Sequence, residues 1–216
     1  MQHLNSSHKN SFWQRFISLL CIGFISSPAS ANLINTDFAS GFANWQAEVI
    51  AYDFGTDTNH TSTGDIFTSY TDNFQLAANQ VTLNTSTDQD IEYWSVTMFQ
   101  IFTIAALNPG QSVWLSLDVN AMLSDAINDF FFVQLRDMDT NNILDLSAGS
   151  VFDISAWSML NLALEFGVQD GDFVLEDSLN ISNIQLNTVD VLVSAPPTLS
   201  FLFLSSLFIA IKTRRS

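Results

Sequence analysis

An alternating run of oxygen-bearing side chains is the first feature of this sequence that could do chemistry. The run comprises Asp137, Asp139, Asn141 and Asp145. Its spacing resembles the start of a calcium loop, because calcium prefers hard oxygen ligands. That loop pattern then asks for glycine and glutamate, where this chain has Asn142 and Ala148. The alternative is a hairpin turn in which Asp and Asn bond locally, so calcium is the cofactor suggested but not required.

Two other turns are similarly rich in carboxylates and amides. One contains Asp125, Asn128 and Asp129, and the other contains Asp170, Asp172, Glu176 and Asp177. We rank each of them below the Asp137 loop as a candidate calcium site.

Aromatic rings are a second kind of candidate ligand site. Four tryptophans follow residue 31, namely Trp45, Trp94, Trp114 and Trp157. Exposed rings serve sugar-binding sandwiches as flat platforms for the C–H faces of pyranoses. Trp114 is the main candidate because it lies opposite a Val/Leu row, and Trp94 and Trp157 are further candidates. The alternative is that these rings pack in the core or under loops, as large aromatics usually do.

Catalytic motifs are absent from the sequence. His60 is the only histidine after residue 31, and it lies in a polar stretch. No G-x-S-x-G, H-E-x-x-H or P-loop pattern occurs. Cys21 is the only cysteine, so the chain beyond it has no thiol nucleophile, disulfide or cysteine metal site. We therefore predict that the protein is not an enzyme.

The charge distribution excludes one class of partner. All 22 acidic residues lie between Asp37 and Asp190, where Arg136 is the only base, which gives this stretch a formal charge of −21. Such a surface repels nucleic acids, since nucleic-acid affinity depends on Lys and Arg displacing counterions. The stretch is still rich in Phe, Leu, Ile and Val, so we expect a folded domain rather than disorder.

Strict alternation of apolar and other residues predicts half-buried strands. The clearest example is Ser112–Asn120, and Phe130–Arg136 and Leu162–Val168 follow the same pattern. Tyr93–Ile104 is apolar on both faces, which suits a central strand.

The last predicted strand, Leu179–Leu186, changes parity at Ser182–Asn183, which indicates a β-bulge or bend. Signals for helices are few, although Ser155–Leu160 is compatible with one helical turn or the approach to a strand. Many short strands separated by polar turns predict an all-β fold, an antiparallel β-sandwich over residues 32–190.

Residues 1–31 have the three regions of a secretory signal peptide. Lys9 and Arg15 make a positive start, Phe16–Ile25 is apolar, and Ala29 and Ala31 form an A-x-A cleavage pattern. We expect an apolar helix here and cleavage after Ala31.

The C-terminal end has a membrane-stop layout. A linker, residues 191–198, leads into a hydrophobic helix, residues 199–211, and a basic tip, residues 212–216. The 13 residues of the apolar run are fewer than the roughly 20 that span a bilayer. This length favours temporary retention in the membrane over permanent anchoring.

This tail resembles the PEP-CTERM sorting signal of Gram-negative bacteria, with its V-P-E-P-S-T-L-like motif, short apolar helix and Arg-rich end. The corresponding residues here are Val193, Pro196, Pro197, Thr198, Leu199, Arg214 and Arg215. Pro197 stands where the motif has Ser, and Ser194 and Ala195 replace its first Pro and its Glu. The resemblance implies export, transient anchoring in the inner membrane, cleavage by an exosortase-type enzyme, and a destination at the cell surface or in the biofilm matrix.

The ends of the domain resemble jelly-roll carbohydrate-binding modules. Asn32–Trp45 is similar to their opening strand and G-x-x-x-W turn, and Glu176–Leu186 is similar to their final strand. We therefore expect a jelly-roll-like sandwich that binds polysaccharide, in an exported surface or extracellular-matrix protein. The alternatives are a structural or adhesive component without a specific ligand, and a secreted hydrolase that uses paired carboxylates.

Overall fold

The computed structural model describes residues 32–173 and 177–190, and within them the chain forms twelve β-strands and a short 3₁₀ turn. The strands are β1 (Gln46–Asp53), β2 (Thr58–Gly64), β3 (Phe74–Ala77), β4 (Gln80–Asn84), β5 (Ser86–Asp88), β6 (Ile91–Thr103), β7 (Gln111–Met122), β8 (Phe130–Asp137), β9 (Ile143–Asp145), β10 (Ser150–Asp153), β11 (Asn161–Gln169) and β12 (Ser178–Asp190). The turn is Ser155–Trp157. The predicted signal helix, the sorting motif and the hydrophobic C-terminal helix lie outside the described residues. Within the described ranges, no helix is long and apolar enough to cross a membrane.

All strand pairings are antiparallel, and the strands form two sheets. The seven-stranded sheet has the order β2-β1-β6-β11-β8-β9, with β5 also paired to β6. The five-stranded sheet has the order β10-β7-β12-β4-β3. The predicted all-β, two-sheet architecture is therefore confirmed.

One apolar core is built from strands of both sheets. Its largest fully buried side chains are Leu83, Met98, Phe102, Leu115, Leu117, Leu135, Leu146, Ile154, Leu162, Leu164, Phe166 and Leu179. Apart from Leu146 and Ile154, which directly follow β9 and β10, they come from alternate positions of their strands, because successive side chains of a strand point to opposite faces. The other face of each sheet is left for polar or half-buried residues.

The strands predicted from alternation are present with the expected faces. Strands β7, β8 and β11 cover the three alternating segments, and β6 lies inside its sheet between β1 and β11. The predicted bulge is also present, because the β7–β12 register shifts between Ser182 and Gln185. At this bulge Asn183 adopts a positive φ of 54°, a conformation that Asn tolerates better than most residues. The Ser155–Leu160 segment starts as the helical alternative, a single 3₁₀ turn.

The opening segment differs from the carbohydrate-module resemblance, which implied a strand before Trp45. The described chain has turns there and enters its first strand only at Gln46. The backbone of this segment bonds to the buried side chain of Gln100 rather than to a neighbouring strand. Its Oε1 accepts a hydrogen bond from the backbone N–H of Ile34 (2.7 Å), and its Nε2 donates to the carbonyl of Ile34 (2.9 Å).

Replacing this side chain tests its role. We expect Gln100→Leu to lower the free energy of unfolding by about 1–3 kcal/mol, since two hydrogen bonds are lost and each contributes about 0.5–1.5 kcal/mol. Urea denaturation measures the change. The control Gln75→Leu, at an exposed position of β3, should change stability by no more than about 0.5 kcal/mol. Equal stability of Gln100→Leu and the wild type would contradict this account.

Candidate functional site

A groove of about 610 Å³ lies on the outer face of the seven-stranded sheet. Its lining comes from β1, β6, β8, β9 and β11 and from the turn after β8. The lining residues are Glu48, Ile50, Ser95, Thr97, Phe99, Phe132, Gln134, Arg136, Met138, Asn141, Ile143, Glu165 and Gln169. We call this surface the sheet groove.

The floor of the sheet groove depends on a glycine. Gly167 of β11 lies between Thr97 of β6 and Phe132 of β8 in the register of the sheet. A Cβ atom at Gly167 would be 2.6 Å from Phe132 Cζ and 2.8 Å from Thr97 Oγ1, closer than real Cβ contacts allow. The absence of a side chain at Gly167 therefore lets the Phe132 ring lie across β11. An aromatic surface results in the middle of the groove.

A polar network forms the neighbouring part of the sheet groove. Arg136 Nε lies 3.1 Å from each oxygen of Glu165, and Arg136 Nη2 also donates to Glu165 Oε1. Gln134 Nε2 donates to Glu165 Oε2 at 2.7 Å. Glu165 is 6% exposed, and its carboxylate raises the pKa of Arg136 by accepting its hydrogen bonds. The only base of the domain is thus held as part of the groove surface.

Three buried aspartates come together at one end of the sandwich. Asp129, Asp170 and Asp177 each offer a carboxylate oxygen, and these oxygens lie within 4.8 Å of one another. We call them the aspartate cluster. Their exposed fractions are 3%, 1% and 0%.

Strand pairing explains how residues far apart in sequence meet in the cluster. Phe130 at the start of β8 pairs with Gln169 at the end of β11, so Asp129 and Asp170 are neighbours in the next position. Asp177 belongs to the five-stranded sheet, because it directly precedes β12 and its N–H donates to Thr85 Oγ1 at 2.8 Å. The aspartate cluster therefore joins the ends of both sheets.

Asp129 is surrounded by hydrogen-bond donors from its own connection, between β7 and β8, and from the connection after β11. Its Oδ2 accepts hydrogen bonds from the hydroxyl of Ser124 (2.9 Å) and the N–H of Asp125 (2.7 Å), and its Oδ1 accepts from the N–H of Gly171 (3.1 Å). Burial acts to raise the pKa of Asp129, but these hydrogen bonds, together with one to the side chain of Asp170, outweigh burial and leave its pKa lowered.

The carboxyl groups of Asp170 and Asp177 accept fewer hydrogen bonds than that of Asp129. Burial and repulsion from neighbouring carboxylates raise the pKa of both Asp170 and Asp177. Asp170 Oδ1 accepts from the N–H groups of Asp172 (3.1 Å) and Phe173 (2.7 Å). Asp177 Oδ1 accepts from the N–H of Ser124 (2.6 Å). Asp177 Oδ2 is buried and has no hydrogen-bond partner among the described residues.

The Asp137 loop has the geometry of the hairpin-turn alternative. Asp137 ends β8 and uses both carboxylate oxygens locally, accepting from the N–H of Asp139 (2.9 Å) and the hydroxyl of Thr140 (2.5 Å). Asn141 adopts a positive φ of 60° and donates its N–H to the carbonyl of Asp137 at 2.8 Å. These bonds, the one from Thr140 foremost, lower the pKa of Asp137.

The remaining residues of that loop do not converge on Asp137. Asp139 and Asn141 are exposed. Asp145 lies on β9 opposite Gln134 and accepts a hydrogen bond from the N–H of Ser147 at 2.8 Å. Among the acidic side chains that the structure describes, the group within metal-binding distance is the aspartate cluster, not this loop.

The three candidate tryptophans lie on separate elements. Trp114 is half-buried on the outer face of the five-stranded sheet, as its parity predicts, and its Nε1 donates to Ser112 Oγ at 3.0 Å. Trp94 lies on β6 where the register with β1 shifts, and its Nε1 donates to Asn59 Oδ1 at 3.2 Å. Trp157, in the 3₁₀ turn, packs against the core. None of the three lines the sheet groove.

Sequence reasoning missed the sheet groove, although one signal for it was present. Gly167 interrupts an otherwise regular strand, and a glycine inside a strand often marks a close approach by another group. Here that group is Phe132. The aspartate cluster was seen only as two separate turns, because its members are 41 and 48 positions apart when counted from Asp129.

Comparisons with known proteins do not assign the chain to a family: no protein-family model, curated protein or solved structure matches it. The class that the fold defines is an antiparallel β-sandwich with an open groove on one sheet. Its function has to be inferred from the sheet groove, the aspartate cluster and the terminal sequences.

The lowered pKa of Asp137 gives a pH-dependent prediction. A carboxylate with a lowered pKa stabilises the fold above its unfolded pKa of about 3.9, and this contribution is lost as the pH falls through the folded value. We expect Asp137→Asn to unfold at a lower urea concentration than the wild type at neutral pH. This difference should shrink as the pH falls below the unfolded pKa and through the folded pKa of Asp137.

Asp139→Asn is the matched control, because it removes the same charge from an exposed position in the same turn. We expect it to leave the urea midpoint nearly unchanged at both pH values. A stability difference between Asp137→Asn and the wild type that persists unchanged in acid would contradict the assignment of Asp137 as an ionised turn residue.

Proposed function

We propose that this protein is an exported surface or extracellular-matrix protein whose sandwich binds polysaccharide in the sheet groove. The observation that carries the proposal is the combination of an aromatic floor at Phe132 with the fixed polar side chains of Gln134, Arg136 and Glu165 in one open groove.

The size and composition of the sheet groove suit a carbohydrate chain. Ligand sites typically have volumes of about 300–1,000 Å³, and this groove has about 610 Å³. A sugar ring has apolar C–H faces, which can lie on an aromatic ring, and hydroxyl groups around its edge. Thr97, Gln134 and Asn141 line the groove and can exchange hydrogen bonds with such hydroxyls. The groove lies on the outer face of a sheet, where a polymer chain can reach it.

The charge of the domain narrows the polymer class. With a formal charge of −21 between residues 32 and 193, the domain repels uronic-acid and sulfated chains at low ionic strength. Its one arginine is already paired with Glu165. We therefore propose an uncharged polysaccharide as the ligand.

The path of the chain supports the finer assignment of a jelly-roll-like sandwich. From β6 to β8 the chain passes from the seven-stranded to the five-stranded sheet and back, and from β10 to β12 it passes from the five-stranded to the seven-stranded sheet and back. Repeated crossing between two antiparallel sheets is characteristic of jelly rolls. This likeness concerns the fold alone, since unrelated functions share such sandwiches.

A binding role without catalysis fits the carboxylate in the sheet groove. Both oxygens of Glu165 accept hydrogen bonds from Arg136 and Gln134. A carboxylate held in this way positions its neighbours and is not free to attack a sugar or to deliver a proton to a glycosidic oxygen. We propose that Glu165 fixes the groove surface.

The terminal segments support the proposed location of the protein outside the cytoplasm. The signal-like residues 1–31 support export, and the PEP-CTERM-like tail supports brief anchoring in the inner membrane before release by an exosortase-type enzyme. Delivery to the cell surface or matrix would place the sheet groove among extracellular polysaccharides.

Removing the Phe132 ring tests the groove. We expect the purified full-length protein to bind a neutral glycan on a mixed neutral and anionic array, and Phe132→Ala to weaken that binding roughly 10- to 100-fold. The reason is that burying an aromatic side chain of this size contributes about 1.5–3 kcal/mol. Affinity for the retained glycan, measured by calorimetry, gives the ratio.

Trp114→Ala is the matched control, since it removes an aromatic ring from the outer face of the other sheet. We expect it to bind with wild-type affinity. Loss of binding in Trp114→Ala but not in Phe132→Ala would move the site to the five-stranded sheet. Absence of binding to every glycan would refute polysaccharide binding and favour the structural or adhesive alternative.

Processing at both ends is tested separately by mass spectrometry of the protein from its native host. We expect a mature N-terminus at Asn32 and a C-terminus between Ser194 and Pro197, because the signal peptide and the tail are removed on export. A chain that retains Ser216 at the cell surface would show that the tail is not a cleaved sorting signal.

A further inference from the structure

The aspartate cluster carries a second inference, which does not rest on polysaccharide binding. We propose that Asp129, Asp170 and Asp177 bind one calcium ion that links the two sheets at this end of the sandwich. Three features support the proposal: the charge of the cluster, an unpaired oxygen inside it, and the kind of ligand atoms present.

The charge of the cluster needs a counterion that the domain does not provide. Three carboxylate oxygens from buried residues lie within 4.8 Å of one another, and like charges at this distance repel strongly in a medium of low dielectric. Arg136 is the only base between residues 32 and 193, and it is paired with Glu165 in the sheet groove. The repulsion must therefore be relieved by protons or by a bound cation.

An unpaired oxygen is the independent sign of a ligand. Asp177 is 0% exposed, and its Oδ2 has no hydrogen-bond partner among the described residues. A buried carboxylate oxygen without a partner costs free energy. Asp177 Oδ1, in contrast, is bonded to the N–H of Ser124 at 2.6 Å. One oxygen thus orients the side chain and leaves the other for a cation.

The ligand atoms favour calcium over other common ions. The cluster contains only oxygen ligands, which suits calcium and magnesium rather than zinc or copper. Calcium accepts a variable number of carboxylate and carbonyl oxygens, whereas magnesium demands near-ideal octahedral geometry and keeps several waters. The three aspartates are 3%, 1% and 0% exposed, so an ion bound among them would lose most of its water, which suits calcium better than magnesium, since magnesium dehydrates reluctantly.

The position of the cluster gives the ion a structural role. Asp129 precedes β8 and Asp170 follows β11 in the seven-stranded sheet, whereas Asp177 precedes β12 in the five-stranded sheet. An ion bound by all three side chains would tie the ends of the two sheets together, in addition to the hydrogen bonds that Ser124 makes to Asp129 and Asp177. The sequence offers no disulfide for this purpose, because the only cysteine is Cys21.

Thermal unfolding of the purified full-length protein tests the proposal. After removal of metal with EDTA, we expect calcium at about 100 times its dissociation constant to raise Tm by roughly 5–10 °C. Equilibrium dialysis with ⁴⁵Ca should give one bound ion per chain. We expect Asp177→Asn to lose both effects, and in EDTA to melt a few degrees above the wild type, because it removes a buried charge.

Matched variants separate this site from its alternatives. Asp139→Asn, in the hairpin turn after β8, should keep the full calcium shift, and Asp170→Asn should lose the bound ion if Asp177→Asn does not fold. An equal shift with magnesium, no bound calcium in the wild type, or a shift lost in Asp139→Asn but kept in Asp177→Asn would overturn the proposal. Glycan binding is measured independently on the array, so failure of one proposal leaves the other testable.

Discussion

The shared apolar core is the constraint on which the rest of this structure depends. No disulfide can hold the domain, so the two sheets are held by side chains such as Leu115, Leu135 and Phe166 that alternate strands direct inward. This alternation fixes which residues remain outside. Phe132 and Glu165 reach the sheet groove because their neighbours on β8 and β11 are committed to the core.

Several of the acidic residues are stabilised by local hydrogen bonds in turns. Asp53, Asp145 and Asp153 each accept hydrogen bonds from residues two or three positions further on, and these bonds lower their pKa values. Such turns stabilise the carboxylates without a base. The aspartate cluster is different, since burial raises the pKa values of Asp170 and Asp177. This contrast separates acids that shape turns from acids that suit a cation.

The two proposed sites use different parts of the same architecture. The sheet groove lies across one open face, where side chains from several strands meet a long ligand. The aspartate cluster lies at the end of the sandwich, where connections from both sheets come together. A cation there would stabilise the fold and leave the groove accessible, so the two proposed sites are compatible with each other.

Local pattern was sufficient to predict the strands β6, β7, β8 and β11 and the bulge at Ser182–Asn183, because alternation and its interruption depend on adjacent residues. The patterns that resemble a signal peptide and a sorting tail are likewise features of contiguous sequence. Only the tertiary structure decided where the sites lie. The contact of Phe132 with Gly167 and the meeting of Asp129 with Asp170 depend on which strands pair and in what register. Pairing over such distances is set by the packing of the whole core, so neither segment encodes it alone.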